Sequence, residues 1–245
     1  MKNKPNIALI TAGNPRHHYF KKKISSVVDV GLIIEEPKKS APSQKEISFF
    51  KNRFLDYNWN LKNNNQININ DKNLNSVETQ KILQNFSPDY IFTFGCGLLK
   101  NNIIKTASKC IINIHTGLTQ YHRGVEGPLF AIYEEDASTI GATIHQLTTG
   151  IDSGQVVAQE KPKLRLDDDL ELLFYRTCKC GIDLLQKYII NIILDKAKFK
   201  TLNNGKLYQK KDVTDEIIMS ANSKIGRVLY NYYDLDGAAG QFICY

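Results

Sequence analysis

The stretch Asn6-Ile-Ala-Leu-Ile-Thr-Ala12, followed by Gly13-Asn14-Pro15, is the first indication of the fold class. An apolar run this short predicts a buried strand, and the glycine and proline behind it predict a loop leading into a helix. Further along the chain, the helical pattern Val77–Phe86 stops at Ser87-Pro88 before the apolar run Tyr90–Phe94, which predicts a helix followed by a strand. This alternation predicts an α/β, Rossmann-like fold, with a mostly parallel sheet covered by helices on both faces.

The rest of the chain continues the alternation and then changes character. Further strands are predicted over residues 28–35, 110–115, 142–147 and 156–159, and helices over 47–56, 128–135 and 170–194. Residues 199–208 are predicted to form a hairpin around Asn203-Asn204-Gly205, with a short helical patch after Asp212. We therefore expect a catalytic domain over residues 1–200 and a short C-terminal extension over 201–245.

Composition limits the classes of function. The 245 residues are 42% hydrophobic and 23% charged, which excludes disordered and fibrous proteins. The net charge of +7 is compatible with an anionic partner, but lysines interspersed with asparagines on exposed positions explain it without nucleic acid. The five cysteines include no Cys-x-x-Cys motif, so no metal is expected. Without a signal-like start or a long apolar run, we expect a cytoplasmic protein without a membrane partner.

Two polar residues interrupt the apolar strand Cys110–His115. Asn113 and His115 are two positions apart, so in a strand they project to the same side. An amide and an imidazole there can both donate to one oxygen, as a tetrahedral acyl-transfer intermediate requires. Spacing alone slightly favours the alternative that both are satisfied polar groups of the core.

Asp152 adds a carboxylate in the turn Thr148-Thr-Gly150-Ile-Asp152-Ser-Gly154. If this turn reaches His115, the carboxylate is expected to favour the imidazolium and raise the pKa of His115. The pair would then accept the proton that an attacking ammonium sheds.

These residues belong to separated motifs with a familiar spacing. Asn113-Ile-His115-Thr-Gly-Leu118 precedes Tyr121-His-Arg123-Gly124, and Gly141-Ala-Thr-Ile-His145 precedes the Asp152 turn, 37 residues beyond His115. Between about residues 89 and 159 the chain resembles the N10-formyltetrahydrofolate-dependent formyltransferases, most of all those acting on amino sugars.

The resemblance implies roles for these residues and for their neighbours. Asn113 would stabilise the oxyanion, His115 would polarise the formyl group and move protons, and Asp152 would orient His115. N10-formyltetrahydrofolate would be the formyl donor, and the protein would form a homodimer through its C-terminal hairpin and tail. The pterin would bind mostly to backbone of two loops that contain Phe94, Gly95, Gly97, Leu98, Leu99, Thr148, Gly150 and Ile151. The substrate would contact Asn14, Arg16, His17, Thr116, Tyr121 and Arg123.

Several acceptors of the formyl group are consistent with this resemblance. The loop containing Arg16 and the motif containing Arg123 are most similar to enzymes that formylate nucleotide-linked amino sugars, where guanidinium groups suit diphosphate oxygens. Methionyl-tRNA and glycinamide ribonucleotide formyltransferases are alternatives, as are a formyltetrahydrofolate hydrolase and a non-catalytic folate-binding relative. His17 and His18 contact substrate or form a surface pair, and His145 is expected to be structural.

Overall fold

Two compact units make up the chain. The computed structural model describes residues 4–36, 44–54, 66–68, 73–236 and 242–244. Strand β5 (Cys110–His115) and helix α6 (Leu170–Ile193) contribute residues to both units. Unit 1 consists of Met1–Asn113, Gln146–Thr149 and Gln186–Ala197, and unit 2 consists of Ile114–His145, Gly150–Leu185 and Lys198–Tyr245.

Unit 1 contains a parallel sheet built around the first strand. Strand β1 (Ile7–Ala12) is buried at all six positions and pairs in parallel with β2 (Leu32–Glu36) and β4 (Tyr90–Phe94). The strand order is β5-β4-β1-β2-β3, where β3 (Gln66–Asn68) is parallel to β2. The α/β, Rossmann-like class with a mostly parallel sheet is therefore confirmed. The helices of this unit are α1 (Pro15–Ser25), α2 (Gln44–Arg53), α3 (Val77–Phe86) and α4 (Asn101–Ile104).

Local sequence fixes where the helices of unit 1 begin and end. Pro15 opens α1, where its missing N–H costs nothing because the first turn has no partner for it. Ser76 caps α3 by accepting a hydrogen bond from the backbone N–H of Thr79 at 3.1 Å. Ser87 ends α3 in the left-handed region, with φ of 51°. The boundaries predicted for α3 and β4 are confirmed.

Unit 2 combines antiparallel strands with two long helices. Strand β8 (Val156–Glu160) pairs antiparallel with both β7 (Ala142–Gln146) and β10 (Phe242–Cys244). Asp169 begins α6 as predicted, because its carboxylate accepts the N–H of Leu172 at 2.7 Å. A buried cluster with Ala131 and Leu229 as members joins helix α5 (Gly127–Tyr133) to α7 (Asp215–Asp236).

Two predictions from the sequence are wrong in this part of the fold. The hairpin around Asn203-Asn204-Gly205 does not form, because the N–H groups of Gly205 and Lys206 donate to the carbonyls of Thr119 and Tyr121, each at 2.9 Å. Strand β9 (Lys206–Tyr208) instead pairs in parallel with β6 (His122–Gly124). The short helical patch after Asp212 is a helix of 22 residues, α7.

One boundary in unit 1 also differs. The second strand begins at Leu32 and not at residue 28, because the N–H of Val28 still donates to Ile24 at the end of α1. Among the described residues, no helix is both long enough and apolar enough to span a membrane.

Substitution of alanine for two of the glycines should change the stability of the protein in opposite directions. Gly124 has φ of +94°, and a Cβ there would lie 1.9 Å from the carbonyl oxygen of Tyr208. Gly124→Ala should therefore lower the free energy of unfolding by at least about 2 kcal/mol. Gly226 lies in α7 with nothing within 4 Å of an added Cβ, so Gly226→Ala should raise stability by about 0.5–1 kcal/mol. Urea denaturation measures both, and equal effects would contradict this account.

Candidate active site

Strand β5 presents its two polar side chains on the side opposite Ile112 and Ile114. Ile112 and Ile114 are buried, with 0% and 3% exposure, and alternate along the strand with Asn113 and His115. The period of two in a β-strand places Asn113 and His115 on one side, as the sequence predicted. The strand thus carries an amide and an imidazole together.

Within unit 1, a neighbouring strand orients the amide of Asn113. The hydroxyl of Thr93, in β4, donates to Oδ1 of Asn113 at 2.8 Å. Because Oδ1 accepts from Thr93, the NH₂ group becomes the end of the amide that can donate elsewhere. This orientation suits a residue whose function is to donate to an oxyanion.

Within unit 2, Asp152 lies between two imidazoles. Its Oδ2 is 3.3 Å from Nδ1 of His115, and its Oδ1 is 3.3 Å from Nε2 of His145. The side chains of His115 and His145 are 4% and 2% exposed, and that of Asp152 is 12% exposed. The turn carrying Asp152 therefore reaches His115, which spacing alone could not establish.

Backbone groups of strand β6 make further contacts with His115 and Asp152. Nε2 of His115 lies 2.9 Å from the carbonyl oxygen of His122, and the N–H of Gly124 donates to Oδ2 of Asp152 at 2.8 Å. Both ring nitrogens of His115 therefore face oxygen acceptors. The protonated ring can make two hydrogen bonds here, whereas the neutral ring can make one.

The protonation of the pair reflects burial and these contacts. Burial lowers the pKa of His115 and outweighs the Asp152 charge and the His122 carbonyl, which both raise it. Burial would raise the pKa of Asp152, but His115, His145 and the Gly124 N–H together lower it well below its usual range. The expectation that His115 has a raised pKa is wrong. Burial removes the water that stabilises the imidazolium, and the acceptors around the ring compensate for only part of that loss.

The turn with Asp152 is braced through its backbone. Asp152 has φ of 44°, in the left-handed region that aspartate tolerates better than most residues. The preceding carbonyl of Ile151 accepts from Nη1 of Arg123 at 3.2 Å, and Nε of the same guanidinium donates to Gly205 at 2.9 Å. Arg123 thus supports the turn, and its contact with a substrate stays a prediction.

In unit 1, the loop after β1 contains predicted substrate residues. His17 is completely buried, and its Nδ1 accepts from the N–H of Asn14 at 3.0 Å, so the alternative of a surface pair is wrong for His17. The guanidinium of Arg16 lies 5.4 Å from the ring centroid of Phe50. His17 also packs edge-on against Phe94, with centroids 5.5 Å apart, and so joins the predicted substrate loop to the predicted folate loop.

The predicted folate loop begins with a close approach. Gly95 has φ of +64°, and a Cβ there would lie 2.3 Å from Nε2 of His17. The N–H of Gly97 donates to the carboxylate of Glu36 at 2.7 Å, so this backbone donor already has a partner. Leu98 is 69% exposed, whereas Leu99 belongs to the buried core of unit 1.

The remaining predicted site residues differ in exposure. Thr148 and Gly150 are exposed, and Ile151 and Thr116 are half-buried. Tyr121 is 48% exposed, and its backbone forms the turn that holds β9.

Sequence reasoning missed three contributors. His145 was expected to be structural, yet it contacts Asp152, and its spacing from the Asp152 turn does not by itself bring the two residues together. Thr93 orients Asn113 through its hydroxyl. A polar residue inside an otherwise apolar strand could have been recognised from the sequence. The backbone groups of β6 could not be found, because backbone contacts leave no residue type to recognise. No cluster of three or more His, Cys, Asp or Glu suited to a metal ion occurs within the residues that the structure describes.

Curated relatives share the central part of this chain. Methionyl-tRNA formyltransferase of Kosmotoga olearia is 26% identical over 161 residues, which is 65% of this chain and 51% of that protein. The bifunctional polymyxin resistance protein ArnA of Wigglesworthia glossinidia brevipalpis is 29% identical over 126 residues, 51% of this chain and 19% of that protein. This chain spans about half the length, or less, of these curated relatives.

Solved structures share the fold over most of the chain. A 4-N formyltransferase from Francisella tularensis has a TM-score of 0.63 at 17% identity, covering 98% of this chain and 97% of that one. An N-formyltransferase from Helicobacter canadensis, in complex with folinic acid and dTDP-3-aminofucose, has a TM-score of 0.62 at 16% identity, covering 89% and 80%. Phosphoribosylglycinamide formyltransferase from Anaplasma phagocytophilum has a TM-score of 0.61 at 18% identity, covering 85% and 100%.

A family model covers most of the sequence. The model described as formyl transferase matches residues 11–189, which include the predicted catalytic residues Asn113, His115 and Asp152. The match extends over more than half of the chain, and it agrees with the resemblance found in the motifs. The chain belongs to the formyl transferase family.

Proposed function

We propose that this protein transfers a formyl group from N10-formyltetrahydrofolate to the amine of a nucleotide-linked amino sugar. The observation that carries the proposal is the buried Asp152 carboxylate between His115 and His145, in a chain of the formyl transferase family. A buried pair of a histidine and a carboxylate, such as His115 and Asp152, can move a proton in a site from which water is excluded. An enzyme is therefore favoured over a non-catalytic folate-binding relative.

The proposed reaction balances as a general-base acyl transfer. The amine nitrogen attacks the formyl carbon, so a C–N bond forms and the carbonyl oxygen becomes an oxyanion. One nitrogen of the neutral His115 ring leaves its resting acceptor, accepts the proton that the new ammonium sheds, and later returns it to N10 of the folate as the C–N10 bond breaks. The products are a formamide and tetrahydrofolate.

Asn113 and Asp152 support this proton transfer in different ways. The NH₂ group of Asn113, with its Oδ1 held by Thr93, donates to the oxyanion. The Asp152 carboxylate stabilises the imidazolium that forms when His115 takes the proton. The lowered pKa of His115 keeps its ring neutral, and thus ready to accept a proton, near neutral pH.

The donor is proposed to bind at the two loops predicted from the sequence. Gly95 and Gly150 lie in these loops, where a glycine lets backbone approach a planar ring. The complex of the Helicobacter canadensis enzyme contains folinic acid, a folate of the same class as the proposed donor. The donor is a co-substrate here, and it supplies the formyl carbon.

The choice of acceptor rests on the share of each chain that aligns in the structural comparisons, and on what the aligned complexes contain. The Francisella tularensis 4-N formyltransferase aligns over almost the whole of both chains, and the Helicobacter canadensis complex contains a nucleotide-linked amino sugar. We therefore favour an amino sugar as acceptor. A cytoplasmic location and a homodimer stay predictions from the sequence.

A substrate panel tests the acceptor. With formyltetrahydrofolate present, a nucleotide-linked 3-amino or 4-amino deoxysugar should gain the mass of one formyl group in mass spectrometry. Glycinamide ribonucleotide and methionyl-tRNA serve as competing acceptors, and an incubation without any amine serves as the control. Formylation of only a competitor, or formate release without an amine, would overturn the sugar assignment.

Removal of either member of the catalytic pair tests the mechanism. His115→Ala and Asp152→Asn should each lower kcat by about 10²-fold or more, because a proton acceptor or its stabilising charge is lost. Asp168→Asn is the matched control: its buried carboxylate accepts from Nε of Arg176 at 2.8 Å, outside the proposed chemistry. It should lower stability and leave kcat of the folded protein near wild type. Full activity in His115→Ala would refute the mechanism.

The pH dependence of kcat tests the protonation state. Protonated His115 cannot accept a proton, so kcat should fall as pH is lowered through its pKa, below the ordinary value of about 6.5. The Asp152 charge raises this pKa, so the residual activity of Asp152→Asn should keep its plateau to lower pH than wild type does. An acid limb that stays in place or moves to higher pH would contradict the assignment to His115.

A further inference from the structure

Strand β6 supplies two of the contacts that hold His115 and Asp152. The His122 carbonyl faces Nε2 of His115 at 2.9 Å, and the Gly124 N–H donates to Asp152 at 2.8 Å. Both contacts come from backbone, so their geometry depends on where the strand lies and not on a rotamer. Whatever holds β6 also holds the proposed catalytic pair.

The partner of β6 comes from the C-terminal part of the chain. His122 is in register with Lys206, and Gly124 with Tyr208, in the parallel ladder of β6 and β9. Each strand has only three residues, and a two-stranded ribbon of this size is only marginally stable by itself. Side chains must therefore contribute to keeping the two strands in register.

The Glu134 carboxylate links the side chains of both strands. Its Oε2 lies 3.0 Å from Nε2 of His122, and its Oε1 accepts from Nζ of Lys206 at 3.1 Å and from the hydroxyl of Tyr208. Nδ1 of His122 is buried and has no hydrogen-bond partner among the described residues, so Glu134 is the only such anchor of that ring there.

Packing fixes the ring of Tyr208 independently of its hydroxyl. The ring stacks on Phe130 with centroids 3.6 Å apart and an angle of 9° between the planes. Removal of the hydroxyl should therefore leave the ring in place and break only its hydrogen bond to Glu134. This separation makes Tyr208→Phe a narrow perturbation of the ribbon.

We propose that Glu134 and Tyr208 are positioning residues, which hold β6 so that its backbone sets the geometry of His115 and Asp152. The catalytic meaning of this proposal rests on the proposed function. Neither side chain touches the pair directly, and each acts through the β6 backbone. Displacement of a reacting group by about 1 Å can cost on the order of 10²-fold in rate, so a small relaxation of β6 is measurable.

The variants are Tyr208→Phe and Glu134→Gln, with Tyr233→Phe as the matched control. The Tyr233 hydroxyl donates to the carbonyl of Leu164, so this control loses the same kind of bond in unit 2, away from β6. Tyr208→Phe and Glu134→Gln should lower kcat by about 10-fold, with KM for donor and amine within about twofold of wild type. Tyr233→Phe should keep kcat near wild type.

The pH profile separates positioning from a general loss of stability. The groups facing His115 are Asp152 from its turn, His145 from β7 and His122 from β6. Of these contacts, the hydrogen bond to the His122 carbonyl raises the pKa of His115, and relaxation of β6 weakens it. The acid limb of kcat should therefore move to lower pH by about 0.5 in Tyr208→Phe and Glu134→Gln, and not in Tyr233→Phe.

An NMR titration of the resting protein tests the positioning without any substrate. The imidazole resonances of His115, assigned with His115→Gln, should titrate at lower pH in Tyr208→Phe than in wild type and Tyr233→Phe. If neither Tyr208→Phe nor Glu134→Gln changes the titration of His115, the positioning proposal is overturned. Failure of wild type to formylate any amine refutes the proposed function alone, since the titration does not depend on turnover.

Discussion

A carboxylate that is buried away from water must be matched by donors, or it will take up a proton. Asp152 meets this demand with donors from strands β5, β6 and β7 and thereby fixes these strands relative to its own turn. The charge of one side chain thus organises the candidate site within unit 2. The contacts of His115 follow from it, because the ring must face Asp152 with one nitrogen and turn the other towards β6.

The parts of the fold that the sequence predicted well are those with strong local patterns. Strand β4 and helix α3 have clear periodicity between proline and serine signals, and their boundaries matched the structure. The family was also predictable, because the residue types and spacing of the separated motifs between Asn113 and Gly154 agree with it. The roles of Asn113, His115 and Asp152 stay predictions, although the structure brings His115 and Asp152 into contact.

What could not be predicted depends on contacts distant in sequence. The parallel pairing of β6 with β9 joins segments more than 80 residues apart, and three-residue strands are too short to show periodicity. The lowered pKa of His115 depends on how deeply the ring is buried, which no motif encodes. The contact of His145 with Asp152 required the turn to be placed, and sequence spacing alone does not do this.

The left-handed backbone at Asp152 limits how this position can change during evolution. Glycine or asparagine would suit the backbone at φ of 44° but would remove the charge, while glutamate would keep the charge on a side chain one methylene too long for the contacts with His115 and His145. Aspartate is the residue that meets both requirements. Substitution at this position is therefore constrained twice, by the left-handed backbone and by the length and charge of the side chain.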